Sequence, residues 1–123
     1  MVKSLISNNL TIVTTIYNEE ESIPHFISDV KKNLKNIKNL KFDFILVDNG
    51  STDKSLEIIK NFSKKDKKIK FISLSRNFGH QGGLFAGLFH SKSRFTLTID
   101  CDLQQPTELI PKMLNQAKRG YKI

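Results

Sequence analysis

The stretch Phe42-Asp43-Phe44-Ile45-Leu46-Val47-Asp48-Asn49-Gly50-Ser51-Thr52-Asp53 admits two readings, and the choice between them sets the architecture. The run Phe42 to Val47 has the length and the Phe, Ile, Leu and Val content of a buried strand. Asn49-Gly50 then reads as a tight turn, since both residues tolerate positive φ, and in isolation the pair signals a hairpin. A hairpin needs a second strand directly after the turn. Instead Ser51 to Asp53 are helix-capping residues, and Leu56, Ile59 and Phe62 follow at helical spacing. The hairpin reading fails, and the chain passes from strand to helix.

Three more apolar runs of similar length lie on either side: Leu10 to Ile16, Ile69 to Leu74 and Phe95 to Ile99. Their near-continuous apolarity predicts strands covered on both faces, as in a parallel sheet. Helical patterns fill the gaps. Ile23, Phe26, Ile27, Val30, Leu34 and Ile37 form one apolar stripe, with Asn18 as N-cap and Glu19 to Glu21 at the positive end of the helix dipole. A third helix is expected over about Gln81 to Ser91, where Gly82, Gly83, Ala86 and Gly87 permit close packing or close approach to a ligand. A fourth begins near Pro106, a good first-turn residue, and Tyr121 to Ile123 open a further strand. The alternation predicts an α/β fold, a doubly wound three-layer α/β/α sandwich with a mostly parallel sheet and right-handed crossovers. Residues 1–123 are expected to be one domain, truncated as the next strand begins.

Composition narrows the class. Hydrophobic residues make up 38% of the 123 and charged residues 26%, a globular rather than a disordered balance. A single cysteine, Cys101, allows no internal disulfide and fits a reducing cytoplasm. Met1 to Asn9 is too short and polar for a signal peptide, and no window approaches the roughly 18 apolar residues of a membrane-spanning helix. The formal net charge is +8, and Lys60, Lys64, Lys65, Lys67, Lys68 and Lys70 surround Asp66. The plain reading of that cluster is a solvated helix end and turn. The sharper one is attraction to an anionic membrane surface, preferred over nucleic acid because no aromatics interleave with the lysines.

In an open parallel sheet, ligands bind beyond the carboxyl ends of the strands, where strand order reverses. The strand-end segments are Tyr17 to Glu20, Asp48 to Asp53, Ser75 to Gly79 and Asp100 to Gln104; three carry acids and one an arginine. In extended chain Asp100 and Asp102 point one way and Cys101 the other. With the amide of Gln104 they form a hard oxygen set suited to Mg²⁺ or Mn²⁺, which borrow further ligands from substrate phosphates. Asp48 either serves the turn or accepts hydrogen bonds from a base imide or ribose hydroxyl. Arg76 pairs with phosphate or with a carboxylate such as Asp48 or Asp102. His80 and His90 read as a loop and a helix-face residue, and His25 as solvent-facing. Tyr17 to Ser22 contains no glycine, so a dinucleotide pyrophosphate has no cradle there, and no Walker lysine loop exists.

Four ordered motifs then carry a resemblance. T-I-Y-N-E-E-E (15–21), I-L-V-D-N-G-S-T-D (45–53), S-R-N-F-G-H-Q-G-G-L-F-A-G-L (75–88) and D-C-D-L-Q-Q-P-T-E-L-I (100–110) resemble family 2 glycosyltransferases of the GT-A fold. Within them the chain is most similar to the polyprenyl-phosphate group, which includes dolichol-phosphate mannose synthases and undecaprenyl-phosphate glycosyltransferases. The resemblance implies that Tyr17, Glu19 and Asp48 line the base and ribose pocket, that Asp100 lies against nucleoside and metal, and that Asp102 and Gln104 hold the cation against the diphosphate. It also implies that Arg76 to Gly79 helps close the donor site. Many relatives have Pro where Thr15 stands and a second Asp where Asn49 stands, and relatives continue with acceptor-side residues, including arginines, and membrane-associated helices.

The implied reaction moves a sugar from a nucleotide-sugar donor, expected to be a UDP-sugar, to a polyprenyl phosphate on the cytoplasmic face of a membrane. A lipid phosphate is already anionic near neutral pH, so no strong general base is required, and direct displacement with inversion is expected. Rival readings are a saccharide acceptor, a nucleotide-binding fragment inactive by itself, and a receiver-like phosphoacceptor domain. The last fits poorly, because the acids follow the second and fourth strands rather than clustering after the third. A fragment of this kind is also expected to expose apolar surface and to associate.

Overall fold

A computed structural model describes residues 10–102 and 107–118. The elements alternate: β1 (Leu10–Ile16), α1 (Ser22–Leu34), β2 (Phe42–Asp48), α2 (Ser55–Lys65), β3 (Ile69–Ser73), α3 (Gly79–His90) and β4 (Phe95–Thr98). A 3₁₀ turn, Thr107–Leu109, leads into α4 (Ile110–Lys118). The expected first residue of that last helix, Pro106, and the expected further strand at Tyr121 to Ile123 lie outside the described residues.

The four strands are parallel and ordered β3-β2-β1-β4. The Asn49-Gly50 turn does feed a helix, and β2 runs parallel to β1 in the register Leu10↔Phe42 through Ile16↔Asp48. From β1 the chain moves outward through β2 to β3, then crosses to the other side of β1 to lay down β4. Strand order therefore reverses between β1 and β4.

Burial follows from that order. β1 and β2 are central and almost wholly buried, as continuous apolarity predicts. The expectation of full cover fails at β3, where Lys70 and Ser73 are exposed, and at β4, which alternates half-buried and exposed positions. Both are edge strands among the described residues, so only one neighbour shields each.

Alternation along β1 and β2 divides the core in two. Leu10, Ile12, Ile16, Phe42, Phe44 and Leu46 face α1, α2 and α4, meeting Phe26, Ile59, Ile110 and Leu114. Phe26 and Phe44 are fully buried and pack edge to face at 6.3 Å; such burial contributes roughly 2–3 kcal/mol per ring. Val13, Ile45 and Val47 face α3 with Leu84 and Ala86. The result is the expected α/β/α sandwich. The predicted α1 stripe is its buried face, and His25 is exposed.

The start of α1 differs from expectation. Asn18 does not cap α1, which begins at Ser22 with amides of Ser22 and Ile23 bonded to the Glu19 carbonyl. Asn18 sits in the left-handed region at φ 52° and turns its side chain to the neighbouring loop. Its Oδ1 accepts from the Thr52 and Asp53 amides at 2.7 and 3.2 Å, and its own amide donates to Ser51 Oγ at 3.0 Å. Glu19 and Glu20 donate in turn to Ser55 Oγ and Asp53 Oδ2, so the β1–α1 and β2–α2 loops are laced together. The basic cluster is solvated, but Asp66 is not isolated: it accepts from Lys31 of α1 and from the Lys68 amide.

α3 lies close to the sheet because its inward face is glycine. A Cβ on Gly87 would stand 2.4 Å from Val13 Cγ1 and 3.1 Å from Val47 Cγ2. Gly87→Ala therefore sets two effects against each other. Helix propensity favours Ala by about 1 kcal/mol, while overpacking costs about 1–3 kcal/mol. Urea unfolding is expected to show net destabilisation; a stabilised variant would mean that α3 is not seated on Val13.

Candidate functional site

The reversal between β1 and β4 opens a crevice at the carboxyl ends of the strands, where an open α/β sheet binds its ligands. A cleft of about 280 Å³ lies there. The end of β1 contributes Thr15, Tyr17 and Glu19, and the segment after β4 contributes Asp100, Cys101 and Asp102. Asn49 just after β2, with Asn77 ahead of α3 and His80 in its first turn, closes the third side.

The acids dominate its electrostatics. Asp100 and Asp102 are exposed and Cys101 between them is buried, which agrees with the opposed directions expected of them, although β4 ends at Thr98 and the pair stands on the segment beyond. Burial raises the Glu19 carboxyl above the usual glutamate range, and the charges of Asp102, Asp100 and Asp53 raise it further. Glu19 Oε2 is buried with no hydrogen-bond partner among the described residues. Burial, then Glu19 and Asp102, push the Cys101 thiol up to about 12, which favours its protonated form.

Glu19, Asp100 and Asp102 line one cleft, and carboxylate oxygens are the ligand type that a hard cation takes. Among the described residues no three His, Cys, Asp or Glu side chains form a ligating group by themselves. Two carboxylates fit Mg²⁺ or Mn²⁺ provided phosphate oxygens and water supply the rest. Gln104, the third expected ligand, lies outside the described residues.

The other expected residues divide. Tyr17 stands at the rim, 45% exposed. Asp48 does not line the cleft. It is 2% exposed, and alternation from Phe44 and Leu46 points it to the α1/α2 side, where its Oδ1 has no hydrogen-bond partner among the described residues. Its backbone carbonyl bonds the Leu74 amide, so the residue also anchors β3. Arg76 lays its guanidinium over the Phe78 ring, 4.7 Å from the centroid. Gly79 has φ +83° and begins α3.

Two cleft residues escaped the sequence reading. His80 is not a loop residue: it lies in the first turn of α3, with Nδ1 3.3 Å from Thr15 Oγ1. Thr15 joins it, and Asn77 lies in the Arg76 to Gly79 turn expected at the site. The available signal was parity, because Thr15 shares the face of Val13 on which α3 packs. His90 is a helix-face residue as expected, bonded through Nδ1 to the Ala86 carbonyl. It borders a second cleft of about 300 Å³ with Asp43, Lys70 and Lys92. There Asp43 is already neutralised by Lys70 at 3.1 Å and accepts from Thr11, so the acid cleft is the stronger candidate.

Comparison with known proteins agrees with this geometry. The chain is 37% identical over 113 residues to YkcC of Bacillus subtilis (strain 168), an uncharacterized glycosyltransferase, covering 92% of this chain and 35% of that protein. It is 33% identical over 117 residues to the undecaprenyl-phosphate 4-deoxy-4-formamido-L-arabinose transferase of Proteus mirabilis (strain HI4320), covering 94% and 36%. The chain thus spans about a third of the curated relatives it matches. Among solved structures, S. aureus TarS 1-349 superposes with a TM-score of 0.74 at 21% identity over 90% of this chain and 32% of that one. The same protein is also known in complex with UDP, with a TM-score of 0.66 at 24% identity over 76% and 27% of the two chains. The mannosyltransferase PcManGT of Pyrobaculum calidifontis, in complex with GDP-Man and Mn²⁺, superposes with a TM-score of 0.69 at 16% identity over 92% and 34%. These neighbours are GT-A glycosyltransferases and establish the fold. The family model of Glycosyl transferase family 2 matches residues 11–123, and the chain belongs to that family.

Proposed function

We propose that the chain carries the donor site of a glycosyltransferase that moves a sugar from a nucleotide diphosphate to a polyprenyl phosphate at the cytoplasmic face of a membrane. The observation that carries this is the convergence of Glu19, Asp100 and Asp102 at the β1/β4 reversal. A divalent cation takes oxygen ligands from carboxylates and from a nucleotide diphosphate alike, and so can join the two in that cleft. The Mn²⁺ and GDP-Man of PcManGT and the UDP of TarS are ligands of the right class on the same fold. The undecaprenyl-phosphate transferase among the relatives supports the lipid acceptor.

Each residue has a stated part. Asp102 and Asp100 would hold the cation, with Gln104 as a further ligand, and Glu19 would accept from base or ribose. Tyr17 offers a ring at the rim, and the Arg76 to Gly79 turn borders the leaving side. When bound, the cation supplies charge neutralisation for the departing diphosphate. The chain itself orients the donor so that an acceptor phosphate oxygen reaches the anomeric carbon as the bond to diphosphate breaks. That single displacement inverts the anomeric centre. A saccharide acceptor is the alternative within the same chemistry.

Among the described residues no helix is long and apolar enough to cross a membrane. Membrane contact is therefore proposed on the acceptor's chemistry alone.

Calorimetric titration with UDP, GDP and CMP, with and without Mn²⁺, tests the donor reading. One nucleotide, with UDP expected, should bind only with the cation, and Asp102→Ala should weaken it at least about tenfold, the loss of one charge-assisted ligand. Cation-independent binding, or an unaffected variant, would contradict the assignment of Asp102. In a turnover assay with polyprenyl phosphate, NMR of the product should show the opposite anomer from the donor; retention would rule out the single displacement.

A further inference from the structure

The acid cleft has a wall that the acids do not explain. Asn49 is 3% exposed at the end of β2, and its side-chain amide is spent on backbone. Its Oδ1 accepts from the Phe78 amide at 3.0 Å, and its Nδ2 donates to the Gly79 carbonyl at 2.9 Å. One residue thus grips two consecutive residues of the turn between β3 and α3. Two further features hold the turn in the same place. Asn77 Oδ1 accepts from the Gly79 amide at 2.7 Å, closing the turn on itself. Beneath it, Gly50 has φ +79°, and a Cβ there would fall 2.5 Å from the Arg76 carbonyl carbon and 2.6 Å from the Asn77 nitrogen.

We propose that Asn49 is a positioning residue that fixes the Asn77–Gly79 turn, and with it Asn77 and His80, as the wall of the donor cleft. Its amide is committed to the protein's own backbone instead of to the nucleotide. The function of the wall rests on the donor reading above; the clamp itself does not. In this chain the bond to the Gly79 carbonyl needs an N–H donor. Asp at this position would still accept from Phe78, but its second oxygen would face the Gly79 carbonyl oxygen, replacing a hydrogen bond with a repulsion. Ala would remove both bonds. On the other side, Asn49 Nδ2 lies 3.1 Å from where a Cβ on Gly83 would be, so α3 leaves little slack for a different rotamer.

The test compares Asn49→Asp and Asn49→Ala with the unaltered chain by amide hydrogen exchange in the absence of nucleotide, then by titration with UDP and Mn²⁺. Phe78 is expected to be protected in the unaltered chain and in Asn49→Asp, and to exchange about tenfold faster in Asn49→Ala, the effect of losing one hydrogen bond. The isosteric Asn49→Asp is expected to shift the Gly79 and His80 amide resonances and to weaken UDP at a temperature where both proteins are fully folded. If Asn49 only filled space, Asn49→Asp would be silent. A Phe78 amide that is unprotected at the outset, or equally protected in Asn49→Ala, would overturn the clamp. If exchange behaves as expected but the unaltered chain binds no UDP, the clamp stands and the donor reading is what fails.

Discussion

Parallel hydrogen bonding of β1 to strands on both its sides is the constraint on which the rest depends. β1 pairs with β2 along its full length and with β4 over Leu10 to Val13. Because all pairs are parallel, every strand delivers its carboxyl end to one edge. Because β2 and β4 lie on opposite sides of β1, the segments leaving β1 and β4 diverge and open a crevice. Backbone bonds then carry the alignment past the strands: Ile99 to the Val13 carbonyl and Asn49 to the Ile16 carbonyl. No side chain of the cleft has to create the cleft.

What the side chains do is hold loops that the sheet leaves free. Asn18 and Asn49 solve the same problem with the same group. Each uses an amide oxygen to accept from the backbone of a loop more than twenty residues away in sequence, Asn18 from the 52–53 turn and Asn49 from the 77–79 turn. Glu19, next to Asn18, is held at the cleft, where burial and the charges of Asp102, Asp100 and Asp53 raise its carboxyl. Buried acceptors such as Asp48 Oδ1 and Glu19 Oε2 carry a penalty, about 1–3 kcal/mol for each group that stays unmatched. Sites that accept such penalties are where ligands supply the missing partners.

Much of this was legible in the sequence, and the parts that were not have physical reasons. The strand-to-helix reading of Phe42 to Asp53 follows from periodicity, which is local, and it fixes the parallel sheet. The face of α1 and the tight seat of Gly83 and Gly87 were readable for the same reason. The half-exposed β3 and β4 were not, because edge position depends on strand order and apolar runs look alike at edge and centre. Asn18 reads as an N-cap because capping preference is a local statistic, whereas its partners in the structure belong to another loop. His80 reads as a loop residue because Gly79, at positive φ, starts α3 two residues earlier than the apolar pattern. Asp48 was expected in the pocket; a strand-end carboxylate faces one of two sides of a sheet, and its parity with Leu46 sends it to the α1/α2 side.

The central claim is that the acids at the β1/β4 crevice hold a nucleotide diphosphate through a divalent cation. Crystals of the chain grown with UDP and Mn²⁺, measured at the manganese absorption edge, test it most directly. The account predicts an anomalous peak beside Asp102, bridging to the diphosphate, with the uridine toward Glu19. A manganese peak elsewhere, or a nucleotide seated in the cleft with no metal between its phosphates and Asp102, would contradict it.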